Sequence, residues 1–293
     1  MIWVGILGAK GYLGEELSKL VAGHRSAQLS TMMDELCAED RSIDDAVKKS
    51  DIIFNGLSGT MAENIYSRAI SYGKRIIDIG DQHAASVYPG SVYGLSELYR
   101  DKMQGASIAA NPSSYCTGAM LGLVPLAAGD LVDLSTAVIE SKSGISCLEC
   151  GDKLTGTDMT INGGTRIYKM ESSGYAEEVN EQMLALFGKK AVPSYTSYVI
   201  PGIKGIITTI KASPHKGFCG SDILEAYKNF YNSNPLIEVC SAGKCFCRIS
   251  VSEDADTGKI TVTTVLDDAV KGAASQAIQT MNLMFGIDGK IGL

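Results

Sequence analysis

Three glycines at G-x-x-G-x-x-G spacing, Gly8, Gly11 and Gly14, stand directly after the apolar run Ile2–Leu7 and just ahead of residues with helical spacing. That context suits a phosphate. Glycines let the backbone turn tightly and approach a pyrophosphate, while the first turn of a helix offers unpaired N–H groups and the positive end of its dipole. The expected ligand is a dinucleotide, with Gly8, Lys10, Gly11, Tyr12, Leu13 and Gly14 as the cofactor loop. Because the spacing departs from the usual G-x-G-x-x-G, a merely tight strand-to-helix turn is the competing reading.

Which nicotinamide such a loop would take is decided at the end of the second strand. An NAD site places a carboxylate there for the ribose hydroxyls. The second strand reads as Ala27-Gln28-Leu29-Ser30-Thr31, with no acidic residue at its end and Asp34 a little late. Ser30, Thr31 and Lys10 are candidates to receive a 2′-phosphate, so NADP is expected, with NAD as the alternative. Among the eight cysteines, Cys147-x-x-Cys150 and Cys245-x-Cys247 have thiols near enough in sequence to consider zinc. The second spacing is short for a zinc knuckle, and Phe246 between its thiols looks like strand alternation, so packing is expected and no metal. Of the three histidines, His24 falls at the end of the first helix, where a cation suits the dipole. His215 lies in a turn, and only His83 comes from a segment expected near a cleft.

The elements that would position these residues follow from periodicity. Strands at Ile2–Leu7, Asp51 to Phe54 and Arg75 to Ile79 alternate with helical spacing over Glu15 to Ala22 and Met61 to Tyr72. Strand, helix, strand, helix, strand is the signature of a Rossmann-type, doubly wound parallel sheet. The pattern shifts after Asn111. Tyr115 to Ala128 reads as one apolar helix, and strands then dominate, at Thr136 to Glu140, Tyr198 to Ile200, Gly205 to Ala212, Cys245 to Ser252 and Lys259 to Val265. Gly220 to Asn232 has a helical face with Ser221 as its N-cap, and a last helix, Ala269 to Phe285, returns to the first domain. The expected architecture is α/β: a dinucleotide-binding domain over 1–113, completed by 268–293, and an α+β catalytic or dimerisation domain over 114–267. The antiparallel sheet of that second domain is a candidate dimer surface.

Composition narrows the partners. With 26 basic and 33 acidic residues the net charge is −7, and no basic cluster offers a footprint for nucleic acid or anionic lipid. The N-terminus reads as a buried first strand, not a signal peptide, and the apolar stretch from Cys116 to Gly129 is too short to span a bilayer. A cytoplasmic protein with reduced thiols and a small-molecule substrate is expected.

Several motifs together resemble the N-acetyl-γ-glutamyl-phosphate reductase family, within the aspartate-semialdehyde dehydrogenase superfamily. They are Gly8 to Gly14 against G-A-S-G-Y-T-G, Val92 to Leu98 against Y-G-L-P-E-L, and Val270 to Ala277 with Met281 to Met284 against V-K-G-A-A-G-Q-A and M-N-L-M. The resemblance implies a homodimer or homotetramer that converts an acyl phosphate to a semialdehyde. A cysteine thiolate displaces phosphate and NADPH reduces the thioester, with a histidine nearby as acid and base. It also implies where those parts should lie and that several are exchanged. N-P-G-C-Y-P-T aligns with Asn111 to Thr117, which puts Ser114 at the nucleophile's position and Asn111 among the substrate contacts. P-H-L-V-P-M-x-R-G-I aligns with Ser197 to Ile206, putting Tyr198 where the histidine belongs and Lys204 where an arginine binds an anion. The loop from Ser143 to Cys150 resembles the active-site S-G-x-S-G-A-G, and the substrate loop at Ser172 to Val179 lacks the family's His and Arg.

Four explanations are open at this point. Ser114 stands for a removed cysteine; the chain is a divergent reductase of another acyl phosphate, thioester or aldehyde, with Cys116, Cys147 or Cys150 as nucleophile; Tyr198 donates a proton in non-thioester chemistry; or the protein binds its cofactor in a regulatory or scaffolding role and catalyses nothing.

Overall fold

The computed structural model of the chain describes all residues except 9–11, 35–39, 81–89, 145–153, 162–164, 171–173, 191–193, 201–204, 235, 240–246, 267–270 and 272. It divides into two compact units, Met1–Pro112 with Gly272–Leu293, and Ser113–Lys271.

The first unit runs β1 (Ile2–Leu7), α1 (Tyr12–Gly23), β2 (Ala27–Met33), α2 (Asp40–Lys49), β3 (Ile52–Asn55), α3 (Gly59–Ser71), β4 (Arg75–Asp78), β5 (Val92–Tyr93), α4 (Ser96–Met103) and β6 (Ile108–Ala110). Its described strands form one parallel sheet in the order β2-β1-β3-β4-β6-β5. Strand alternation sorts the side chains onto two faces. Ile2, Val4 and Ile6 of β1 pack with Leu17 and Val21 of α1 and with Ala277, Ile278 and Met281. Leu7, Ile53 and Ile76 pack instead with Ile43 and Val47 of α2 and with Ile65 and Tyr66 of α3. Helices on both faces make the sheet doubly wound, and near-continuous apolar strands are what burial on both sides requires.

The second unit contains α5 (Ser114–Ala128), β7 (Val132–Ser143), β8 (Leu154–Ile161), β9 (Thr165–Met170), α6 (Tyr175–Phe187), β10 (Ser194–Val199), β11 (Ile206–Pro214), α7 (Gly220–Tyr231), β12 (Ile237–Val239), β13 (Cys247–Glu253) and β14 (Ile260–Leu266). Its described strands form an eight-stranded sheet, β12-β13-β14-β11-β7-β10-β9-β8, antiparallel except where β10 meets β7 and β12 meets β13. The chain then returns to the first unit as α8 (Ala273–Met284).

Helix α5 packs closely on the second sheet through two glycines, where an added Cβ would force a sheet side chain to move. A Cβ on Gly118 would stand 2.8 Å from Thr208 Oγ1, and one on Gly122 would stand 2.5 Å from Ile210 Cδ1. Pro125 inside this helix has no N–H for the carbonyl of Leu121, and the Tyr231 hydroxyl donates to that oxygen at 2.7 Å instead. Among the described residues the other face of the sheet is bare, with Val138, Ile207 and Val265 exposed on it.

Three expectations are corrected. Strand β2 runs two residues past Thr31, to Met33. Ser30 is the extra residue of a bulge between Val4↔Leu29 and Gly5↔Thr31, which spoils simple alternation in the sequence. Helix α7 is capped by Cys219, not Ser221, with Asp222 returning a carboxylate to the Cys219 N–H. His24 carries no dipole charge role: it is buried, accepts the Ser26 N–H on Nδ1 at 3.1 Å and so donates from Nε2 to Asn282 Oδ1 at 2.9 Å. That assignment is the neutral tautomer.

Candidate functional site

In an open parallel sheet, ligands bind beyond the carboxyl ends of the strands where the strand order reverses. Here β1 lies between β2, the next strand in sequence, and β3, the one after, so the reversal falls between β1 and β3. Gly8 is the first residue past β1, with φ of +76°. Its N–H donates to the Met33 carbonyl at 2.9 Å, and the Gly56 N–H donates to Leu7 O at 2.7 Å, so the ends of β2, β1 and β3 are drawn together. A Cβ on Gly8 would lie 2.7 Å from the carbonyl carbon of Gly56 and 2.9 Å from the Leu57 nitrogen. Backbone alone can line that crevice. Gly14 is buried in the first turn of α1, and Leu13 packs into the core beside it. Lys10 and Gly11, together with the Tyr12 side chain, lie outside the described residues, as do Lys204, His83, Cys147 and Cys150.

Along the same edge, Asp78 ends β4 and is buried. Burial pushes its carboxyl up to about 6, against the opposing effect of the Tyr66 hydroxyl on Oδ2 and the Gly80 N–H on Oδ1. Asn111, expected among substrate contacts, donates its amide to Ala273 O at 3.0 Å, tying the end of β6 to the start of α8. Its Oδ1 is buried and has no partner among the described residues. Ser30 is spent on structure: its hydroxyl donates to Val4 O at 2.9 Å, the carbonyl beside the bulge, and meets Ser50 Oγ at 2.6 Å. Thr31 pairs with Gly5, two residues before the strand ends.

In the second unit, the Ser113 hydroxyl caps α5 by accepting the Cys116 N–H at 3.0 Å, which puts Ser114 in the first turn. Ser114 is buried, and Cys116 is fully so, with its thiol 3.7 Å from the Tyr175 carbonyl. Tyr115 hydrogen-bonds Ser143 at the end of β7, and its ring stacks on Tyr175 at 4.7 Å. Tyr195 donates to the Tyr115 carbonyl at 3.2 Å and shares Ser141 Oγ at 2.8 Å, and Ser141 meets Thr208 at 2.7 Å. Burial of its hydroxyl, with Cys116 nearby, raises the Tyr195 phenol well above its ordinary range, so it stays neutral.

Tyr198 is not part of this group. In β10, Tyr195, Ser197 and Val199 pair with Ile139, Ser141 and Ser143, whose side chains face α5. Tyr198 pairs with Lys142 and therefore points to the bare face, opposite Ser114. The residues that sequence reading missed, Tyr195, Tyr115, Tyr175 and Ser141, share the α5 side. The Ser141-x-Ser143 alternation at the end of an apolar strand was the available signal. Among the described residues no three His, Cys, Asp or Glu side chains group as metal ligands, and no helix is long and apolar enough to cross a membrane.

This arrangement agrees with comparisons to known proteins. Residues 3–106 match the family model described as semialdehyde dehydrogenase, NAD binding domain, and residues 114–268 match semialdehyde dehydrogenase, dimerisation domain. An N-acetyl-gamma-glutamyl-phosphate reductase of Desulforudis audaxviator is 30% identical, over 100% of this chain and 98% of its own length. One of Desulforamulus reducens is 29% identical over 98% and 96%. The first alignment extends over 339 positions against 293 residues here, so that relative carries segments this chain lacks. In fold, aspartate semialdehyde dehydrogenase II of Vibrio cholerae complexed with ASA has a TM-score of 0.69 at 14% identity, covering 97% of this chain and 98% of that one. The Candida albicans aspartate semialdehyde dehydrogenase with NADP gives 0.69 at 13% over the same shares. Two matched domains in one order and a full-length relative place the chain by descent as well as by shape: it belongs to the semialdehyde dehydrogenase family.

Proposed function

We propose that the chain is an NADP-dependent oxidoreductase acting on an aldehyde or activated acyl group, of the N-acetyl-gamma-glutamyl-phosphate reductase type. The first unit holds the coenzyme at the β1–β3 crevice, and the start of α5 handles the acyl group. The observation that carries this reading is Gly8 at the sheet's reversal point, whose positive φ and closeness to the Gly56 backbone admit no side chain there. When bound, the coenzyme supplies or accepts a hydride. Backbone N–H groups of the glycine loop beyond Gly8, with the dipole of α1, would receive its pyrophosphate oxygens.

On the acyl side, the start of α5 presents the positive end of its dipole, which favours negative charge on oxygen. Ser114 marks the attacking position there. A hydroxyl is a weaker nucleophile than a thiolate, so transfer from an acyl phosphate is slow in this chain. Lys204 is the anion contact. The bare sheet face with Val138, Ile207 and Val265 suits a homo-oligomer. A cytoplasmic compartment keeps the thiols of Cys116, Cys219 and Cys247 reduced.

A second reading, coenzyme binding without catalysis, is favoured by one observation: Ser114, Tyr115, Cys116 and Ser143 are all buried. Ser114→Cys separates the two. With NADP, inorganic phosphate and N-acetylglutamate semialdehyde, the variant is expected to form reduced coenzyme in a phosphate-dependent way. An inert variant that still binds coenzyme favours the second reading.

A further inference from the structure

We infer that Asp34 reads the adenosine ribose of the coenzyme and gives this chain the use of NAD beside NADP; the inference rests on the coenzyme site proposed above. In a dinucleotide-binding sheet the residue that tells the two coenzymes apart follows the second strand, about 20 residues beyond the glycine loop. A carboxylate there accepts hydrogen bonds from the 2′- and 3′-hydroxyls of NAD and repels the 2′-phosphate of NADP. Strand β2 runs to Met33, so Asp34 is the first residue past its end and is exposed. Met33 pairs with Leu7, and its carbonyl takes the Gly8 N–H at 2.9 Å. The carboxylate therefore belongs to the residue adjoining the point where the β2 end is bonded to the cradle glycine.

The residues otherwise available for a 2′-phosphate are placed elsewhere. Ser30 lies four residues before Asp34, about 13 Å along an extended strand, and its hydroxyl is held by Val4 O and Ser50 Oγ. Thr31 faces Gly5, short of the carboxyl edge. Neither hydroxyl stands where the ribose of a coenzyme at the β1–β3 crevice would lie, whereas Asp34 does.

The test is titration of the full chain with NADH and with NADPH, followed by nicotinamide fluorescence and requiring no turnover, in the natural chain and in Asp34→Ser. The natural chain is expected to bind NADH within about tenfold of NADPH. In Asp34→Ser the ratio of the two dissociation constants should move toward NADPH by about tenfold or more, the loss of a charge-assisted hydrogen bond together with relief of repulsion. Because Asp34 is exposed, the variant should fold as the natural chain does. A natural chain that binds NADPH alone, or a ratio that Asp34→Ser leaves within about twofold, overturns the assignment while sparing the coenzyme site. Failure of both coenzymes to bind the natural chain overturns the site itself and this inference with it.

Discussion

Asp78→Asn should change how the stability of the first unit depends on pH. Asp78 is buried at the end of β4, and its carboxyl sits at about 6 in the folded chain against 3.8 when exposed. Between those values the folded state holds a proton that the unfolded state has released, so folding stability falls as pH rises through the window. Below about pH 3.8 the group has no effect. Above about pH 6 the full difference, about two pH units or about 3 kcal/mol, is set against folding. Asparagine cannot ionise, so the variant lacks this slope. Its single carbonyl oxygen still accepts from Tyr66 but gives up the Gly80 N–H, a loss of about 1 kcal/mol at every pH. The assay is urea unfolding at fixed temperature from pH 4.5 to 7.5, read by fluorescence of Trp3, the chain's one tryptophan, which lies on β1 of the same unit. Other carboxylates titrate alike in both proteins and cancel. The variant should gain about 2 kcal/mol on the natural chain across that range. Parallel curves, or a natural chain that gains on the variant as pH rises, would refute the reasoning.

Tyr231→Phe should cost about 1–3 kcal/mol in urea unfolding, because Pro125 leaves the buried Leu121 carbonyl with Tyr231 as its donor. Adding Pro125→Ala restores a backbone N–H, and a tyrosine loss that stays equally costly in that background would refute the link. Ser96→Pro should raise the thermal midpoint, a gain of about 1 kcal/mol. Ser96 opens α4, its buried hydroxyl has no partner among the described residues, and Leu95 before it is already extended, as a residue preceding proline must be. A lower midpoint would mean that the Ser96 N–H or hydroxyl has a partner after all.

The elements with strong local signals were legible in the sequence. The run Ile2–Leu7 into three glycines announced a strand, a turn and a helix, and the apolar stretch after Ser114 announced a buried helix. What escaped was set by geometry that spacing does not carry. The bulge at Ser30 hid the true end of β2, so Asp34 read as late when it directly follows the strand. The motif match singled out Tyr198 without its facing; alternation along β10 puts it on the opposite side of the sheet from α5, while Tyr195 faces the helix. Helix α2 was missed because Asp40–Lys49 is mostly charged and shows few apolar positions. The return of α8 was readable because its small and apolar residues are buried nearly all round, a composition that only a core position explains.

The central claim is tested most directly by titrating the full chain with NADPH beside Gly8→Ala. The natural chain should give saturable binding. The variant, whose new methyl would stand 2.7 Å from Gly56 with its backbone at a φ of +76°, should lose it while keeping its far-ultraviolet circular dichroism. Equal binding by both proteins, or none by the natural chain, would contradict a coenzyme held at the β1–β3 crevice.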